Sequence, residues 1–313
     1  VLGTHAQRLA RQWQRLEPRL QRATEAFFTQ LYRFVIWLRP YLHVCHLHRP
    51  VDLVLLLTPA FWVFTLGEGR PHYGEIAILL LAATTIRSAA WVYNDLLDAK
   101  YLKEAPESFV IIGLITPREG WWIFFGLLAF ATLLLLFLDL TVFLWAAVAL
   151  LLLLGYPFIK TRTLLTQPYM GLCFAWMVPM AQLVTDGVAQ KSLWLLFTAT
   201  WLWASANTLL YGMPRRNYEA RAGIGSLNHL FGDNIGQFAI QLQLIAAIAL
   251  WFVSQQSLLG DPFAVALLTA MALLPYQQWL LSRYPNSGPT RAYRVNIHFG
   301  LVLMIGFFAE RLL

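Results

Sequence analysis

Arg87-Ser88-Ala89-Ala90-Trp91-Val92-Tyr93-Asn94-Asp95-Leu96-Leu97-Asp98 closes an apolar run over 76–93 and opens a polar loop. The run is long enough to cross a bilayer, which takes about 20 residues with a range of 17–25. Asp95 and Asp98 are three apart and share one helical face. Carboxylate oxygens placed in this way can hold Mg²⁺, and Mg²⁺ in turn can hold a diphosphate. Two acids are half of such a site. The rest, further anionic oxygens and cationic partners, must come from other parts of the chain.

Similar apolar stretches lie at 51–67, 121–137, 140–158, 168–185, 193–211, 235–254, 262–281 and 293–311. With 76–93 they predict an all-α polytopic membrane protein of nine spans. The third and fourth stretches run together across Leu138-Asp139-Leu140, which predicts a tight hairpin. Composition agrees: 58% of the 313 residues are hydrophobic and 12% are charged, where a soluble domain carries roughly 25% charged residues. Cys45 and Cys173 make no disulfide framework. The chain opens on Val1, which predicts a start further upstream, and its Arg-rich beginning lacks the basic-apolar-small order of a signal peptide.

Lys and Arg set the orientation. The N-terminal stretch holds Arg8, Arg11, Arg15, Arg19, Arg22, Arg33, Arg39 and Arg49. The loops after even-numbered spans add Lys100, Lys103, Arg118, Lys160, Arg162, Arg215, Arg216, Arg221, Arg283, Arg291 and Arg294. Arg70, Lys191 and Arg311 fall on the opposite side, and Arg87 lies within a span. The bias predicts an N-terminus that is cytoplasmic and a C-terminus outside, and the membrane is expected to be a bacterial inner membrane. The net charge of +7 then lies against the cytoplasmic leaflet, and nucleic acid is excluded as a partner.

Residues 1–47 read as a cytoplasmic-face arm and 48–313 as the transmembrane domain. In the arm, Leu9, Trp13, Leu16, Leu20, Phe27, Leu31, Phe34 and Leu38 recur near helical spacing, with arginines on other faces. This is the pattern of an amphipathic helix lying on anionic lipid, kinked at Pro18, or of a docking arm for a partner protein. His43, Cys45, His46 and His48 form a ligand-rich cluster, but their spacing matches no firm metal pattern.

Further motifs lie in order along the chain: His48-Arg49-Pro50, Tyr156-Pro157-Phe158-Ile159-Lys160, Gly171-Leu172-Cys173-Phe174-Ala175-Trp176, Tyr211-Gly212-Met213, Ile224-Gly225-Ser226, Leu230-Phe231-Gly232 and Tyr276-Gln277-Gln278. With the 87–98 stretch they give residues 48–312 a sequence that resembles the UbiA superfamily of intramembrane aromatic prenyltransferases, nearest to the branch that prenylates 4-hydroxybenzoate. The resemblance implies nine helices around a central cavity. It also implies two facing Asp-rich motifs that bind a polyprenyl diphosphate through Mg²⁺.

The chain departs from that pattern. Asn94, Asp95 and Asp98 match the first motif, but its third acid falls on Leu102 and its usual Arg on Ala99. Lys103-Glu104-Ala105-Pro106-Glu107 replaces the basic stretch that follows. In the second motif Arg215 stands for the first acid, Asn217 and Tyr218 follow, and Glu219 alone stays acidic. A guanidinium has no lone pair for a metal. These departures predict a catalytically impaired accessory subunit of a larger membrane complex. It would need no cofactor, would contact lipids and other membrane subunits, and would hold a quinone, isoprenoid or lipid. The alternative is a divergent, active, Mg²⁺-dependent prenyltransferase of quinone biosynthesis. Residual catalytic candidates are Asn94, Asp95, Asp98 and Glu219; diphosphate-binding candidates are Arg87, Lys160 and Arg215. With no metal present, Arg215 or Arg216 is expected to pair with Asp95 or Asp98.

Overall fold

The computed structural model describes residues 24–48, 50–67, 72–99, 113–185 and 188–312. Expectations for residues 1–23, Arg49, Arg70 and the 100–112 loop, Leu102 included, lie outside them. The described residues are helical, with no strand. In chain order the helices are α1 (24–44), α2 (Pro50–Leu66), α3 (Tyr73–Asp98), α4 (Pro117–Leu135), α5 (Leu140–Arg162), α6 (Thr166–Ala175) and α7 (Met177–Gln182). They continue with α8 (Gln190–Gly212), α9 (Arg216–Arg221), α10 (Leu227–Phe231), α11 (Ile235–Gln256), α12 (Asp261–Arg283) and α13 (Gly288–Leu312). Seven segments among the described residues are long and apolar enough to cross a membrane: α3, α4, α5, the two beginning at α8 and α10, α12 and α13. A shorter apolar helix covers Val51–Leu66. The fifth predicted span is broken into α6 and α7.

Local chemistry explains the boundaries. At the start of α4 the Thr116 hydroxyl accepts from the Glu119 amide at 3.2 Å, and the Glu119 carboxylate accepts from the Thr116 amide at 2.8 Å. Pro117 takes the first helical position, where its missing N–H costs nothing. The short 136–139 link turns the chain into α5, as the sequence predicts. Trp176 separates α6 from α7 because Pro179, four residues later than Ala175, has no N–H to give the Ala175 carbonyl. The Trp176 indole bonds instead to the Trp145 carbonyl on α5 at 3.1 Å.

Large rings fill the interior. Trp62 of α2, Trp203 of α8, Phe263 of α12 and Phe299 and Phe307 of α13 are fully buried. The Trp62 and Trp203 ring centroids lie 5.4 Å apart. Truncating such a ring costs about 3–5 kcal/mol. The outer faces carry exposed Trp122, Leu133, Leu144, Leu151, Val265, Leu268 and Ile305. Lys160, Arg87, Asp95, Asn207 and Gln277 are buried. Apolar outside and polar inside is the arrangement of an integral membrane protein. Helix α1 exposes Phe27, Phe28, Leu31, Phe34 and Trp37, while its end packs on α3 through the buried Val44.

Candidate functional site

The ends of α3, α5 and α8 converge on a polar cavity. Asn94, Asp95 and Asp98 reach it from α3, Lys160 from α5, and Arg215 and Glu219 from the segment after α8. Lys160 Nζ lies 2.6 Å from both Asp98 oxygens and donates to Asn94 Oδ1 at 2.7 Å. These contacts use all three ammonium donors. Asn94 Nδ2 donates to Asp98 Oδ2 at 3.0 Å, which orients the carboxylate. Lys160 is therefore a buried cation of this cluster and not an interfacial anchor.

Asp95 has a different partner. His46 Nε2 lies 3.3 Å from Asp95 Oδ2, and the His46 ring stacks on Trp91 at 4.7 Å. His46 holds a left-handed backbone, φ 53°, an uncommon conformation for a non-glycine residue. The expected pairing of these acids with Arg215 or Arg216 gives way to pairing with Lys160 and His46. Arg216 instead bonds Asp233 at 3.1 Å, and Arg215 stacks over the Tyr211 ring at 4.3 Å. The reason is reach: α5 ends directly beside the first motif, so Lys160 meets Asp98 first. Glu219 lies in the field of Arg215, His229 and Lys160, and its Oε2 is buried without a hydrogen-bond partner.

Arg87 is 2% exposed and lines an adjoining cavity rather than the polar one. Its Nη2 donates to Asp52 Oδ2 at 2.9 Å and its Nη1 to the His46 carbonyl at 3.4 Å. Tyr293 of α13 donates its hydroxyl to Asp52 Oδ1 at 2.9 Å. Asp52, Tyr293 and Asn207 escaped the sequence reading. Asp52 was discoverable: an acid in one apolar run and an arginine in another need each other. Asn207 and Tyr293 carry no such signal.

The second motif is fastened to the α5–α6 corner. Gln167 Oε1 accepts from the Leu227 amide at 3.0 Å, and the Gly225 amide donates to the Lys160 carbonyl at 2.6 Å. A side chain at Gly225 would overlap the Thr163 carbonyl. Of the His43–His48 cluster, His43 and His48 stack on each other at 3.8 Å. Cys45 packs in a cluster with Val44, Ala89, Val92 and Leu96, and burial pushes its thiol up to about 11. Among the described residues no three His, Cys, Asp or Glu side chains converge as a metal site.

A second, mostly apolar cavity adjoins the first. Leu56, Leu79, Ile86, Leu135, Met177 and Met180 are among its lining residues, and it shares Trp91, Asn94, Tyr156, Met170 and Phe174 with the polar one. Fold and site together define a polytopic membrane protein with adjoining polar and apolar cavities.

Residues 56–303 match the UbiA prenyltransferase family, and the chain belongs to it. It is 34% identical over 278 residues to the 4-hydroxybenzoate octaprenyltransferase of Saccharophagus degradans, covering 87% of this chain and 93% of that protein. The protein of the same name from Methylococcus capsulatus is 31% identical over 281 residues, covering 87% and 94%. Among solved structures, a UbiA homolog from Aeropyrum pernix superposes with a TM-score of 0.71 at 16% identity, covering 83% of this chain and 98% of that one. A UbiA homolog from Archaeoglobus fulgidus bound to GPP and Mg²⁺ superposes with a TM-score of 0.66 at 16% identity, covering 88% and 100%.

Proposed function

We propose that this chain is a membrane transferase that moves an isoprenoid group from its diphosphate to an aromatic acceptor, the alternative reading of the sequence. The observation that carries it is the adjacency of the polar and apolar cavities, which share Trp91, Asn94, Tyr156, Met170 and Phe174 as walls. A ligand filling both has an anionic head and a hydrocarbon tail. Assembly of Asn94, Asp98 and Lys160 into one hydrogen-bonded cluster supports the reading, as do relatives named octaprenyltransferases. The impaired-subunit reading rests on Arg215, Asn217 and Tyr218 in the second motif and on the 99–107 sequence.

The described charged residues lining the polar cavity are the acids Asp52, Asp95, Asp98 and Glu219 and the cations Lys160 and Arg215, with His46 beside them. Arg87 adds a third cation through its pair with Asp52, so four acids against three cations leave an excess of one negative charge before His46 is counted. A diphosphate entering alone would meet repulsion. Mg²⁺ is bound through one or two carboxylates plus substrate phosphates. Asp95 and Asp98 on one rim, and Glu219 with its unpartnered Oε2 on the other, fit that role. The ion, when bound, would neutralise the diphosphate as a leaving group.

The protein's own residues do the rest. Arg215 brings a cation to the diphosphate end, and Lys160 holds the Asp98 carboxylate in place. The apolar walls hold the isoprenyl chain and exclude water. The carbon–oxygen bond to the diphosphate breaks with its electron pair on the leaving group. The acceptor forms the new bond and releases a proton.

The same reading has α2 and the α6–α7 pair cross the bilayer, giving nine spans from residue 48 onward in a bacterial inner membrane, N-terminus inside. Residues 1–47 form the arm, with α1 on the cytoplasmic lipid surface. Reconstituted protein given geranyl diphosphate, Mg²⁺ and a phenolic acceptor should form the prenylated phenol. Asp98→Ala should reduce the rate at least a hundredfold. Absence of product from every phenol offered would refute the reading.

A further inference from the structure

The wall of the polar cavity opposite the first motif is built by α2, α8 and α13 and contributes Asp52, Asn207, Thr208, Tyr211 and Tyr293. Its hydrogen bonding is fixed from behind. The Trp203 indole N–H can only donate, and it donates to Asn296 Oδ1 at 3.1 Å. The Asn296 amide nitrogen must then donate to Asn207 Oδ1, at 2.9 Å. This leaves Asn207, 0% exposed, with an Nδ2 that has no partner, on a side chain lining the cavity. A buried, unpaired donor is costly to keep, and a ligand oxygen would satisfy it.

Asp52 lines the same cavity as that donor. Tyr293, which bonds Asp52, and Asn296, which bonds Asn207, are three residues apart on α13 and so occupy one face of it. The Asp52 carboxylate also holds the buried Arg87. The wall therefore offers an amide donor together with an arginine already committed to an acid. A carboxylate placed there would be desolvated while that arginine's charge is already compensated by Asp52. A hydroxyl, carbonyl or amide oxygen would accept from Asn207 with no charge to compensate.

We propose that the acceptor wall selects an uncharged hydroxylated aromatic ring over an aromatic carboxylate, with Asp52 and Asn207 as the specificity-determining residues. The inference rests on the transferase reading and names its acceptor class. It separates this chain from its relatives, whose names specify 4-hydroxybenzoate.

The test compares 4-hydroxybenzoate with its neutral isostere 4-hydroxybenzamide on the full chain in nanodiscs. Two quantities are read: kcat/KM with geranyl diphosphate and Mg²⁺, and acceptor binding alone by tryptophan fluorescence. The benzamide should be favoured at least tenfold in both. Asp52→Asn, which leaves Arg87 without its counter-charge, should shrink the preference at least tenfold, and Asp52→Glu should retain it. Asn207→Leu should weaken benzamide binding in folded protein and serves as the second variant if Asp52→Asn fails to fold. A wild-type preference for 4-hydroxybenzoate, or a preference unmoved by Asp52→Asn, overturns the inference while leaving the transferase reading intact. Selective benzamide binding without turnover of either phenol supports the inference and removes the transferase reading. Binding of neither phenol overturns the inference.

Discussion

Lys160 of α5 meets both carboxylate oxygens of Asp98 of α3 at 2.6 Å, inside a cavity whose described acids outnumber its cations. The pair joins the end of one helix to the end of another and organises the first motif before any ligand enters. Breaking a buried pair from one side leaves a charge without compensation, at a cost of roughly 3–5 kcal/mol. Lys160→Met should therefore lower the melting temperature sharply, and adding Asp98→Asn should recover part of the loss. Residues in contact deviate from additivity by about 0.5–3 kcal/mol. Simple addition of the two effects in detergent-solubilised protein would show that the pair is not coupled.

Gly225 tests how the second motif is held. Its amide bonds the Lys160 carbonyl, and its α-carbon lies against the Thr163 carbonyl with no room for a methyl group. Gly225→Ala should push the Glu219 segment away from α5 while the distant Trp62–Trp203 core stays intact. Hydrogen exchange should rise in 216–228 and remain unchanged in α13. Uniform protection across both regions would remove the anchoring role.

Seven of the nine expected spans were legible because hydrophobic length is a strong signal, while 51–67 forms a shorter apolar helix and 168–185 is split into α6 and α7. Asn94, Asp95, Asp98 and Lys160 were legible as members of one site because the motif order placed them there. Which cation meets which acid was not, because that depends on the reach of helix ends: Arg215 or Arg216 was expected on Asp95 or Asp98, and Lys160 and His46 occupy those places. The break at Trp176 was readable from Pro179 but hidden within an unbroken apolar stretch. Asn207 became a candidate only through its contacts, since its unpaired nitrogen follows from Trp203 and Asn296, one on its own helix and one on α13.

That relay has its own signature. Trp203→Phe keeps the ring and removes the indole donor, so the Asn296 amide is free to turn and Asn207 loses its fixed polarity. The buried Asn296 acceptors lose a partner, at about 1–3 kcal/mol. The melting temperature should fall, and benzamide binding should weaken more than donor binding. Equal weakening of both ligands would point to general loosening of the core instead.

Orientation can be read with cysteine chemistry, because both native thiols are buried. Cys45 lies outside the spans, and burial pushes its thiol up to about 11 from the model-compound value of 9.0. A raised thiol pKa means less thiolate at any given pH, and thiolate is the reactive form. Native protein should therefore resist maleimide at neutral pH, with Cys45 alkylation rising only as the pH approaches 11. Against that silent background, Arg216→Cys reports the end carrying the second motif. Leu258→Cys reports the α11–α12 turn, where Leu258 is 90% exposed. With the N-terminus inside, a membrane-impermeant maleimide added to intact spheroplasts should label position 258 and leave position 216 unlabelled until the membrane is opened. Labelling of both positions before opening, or of 216 alone, would overturn the orientation derived from the Lys and Arg distribution.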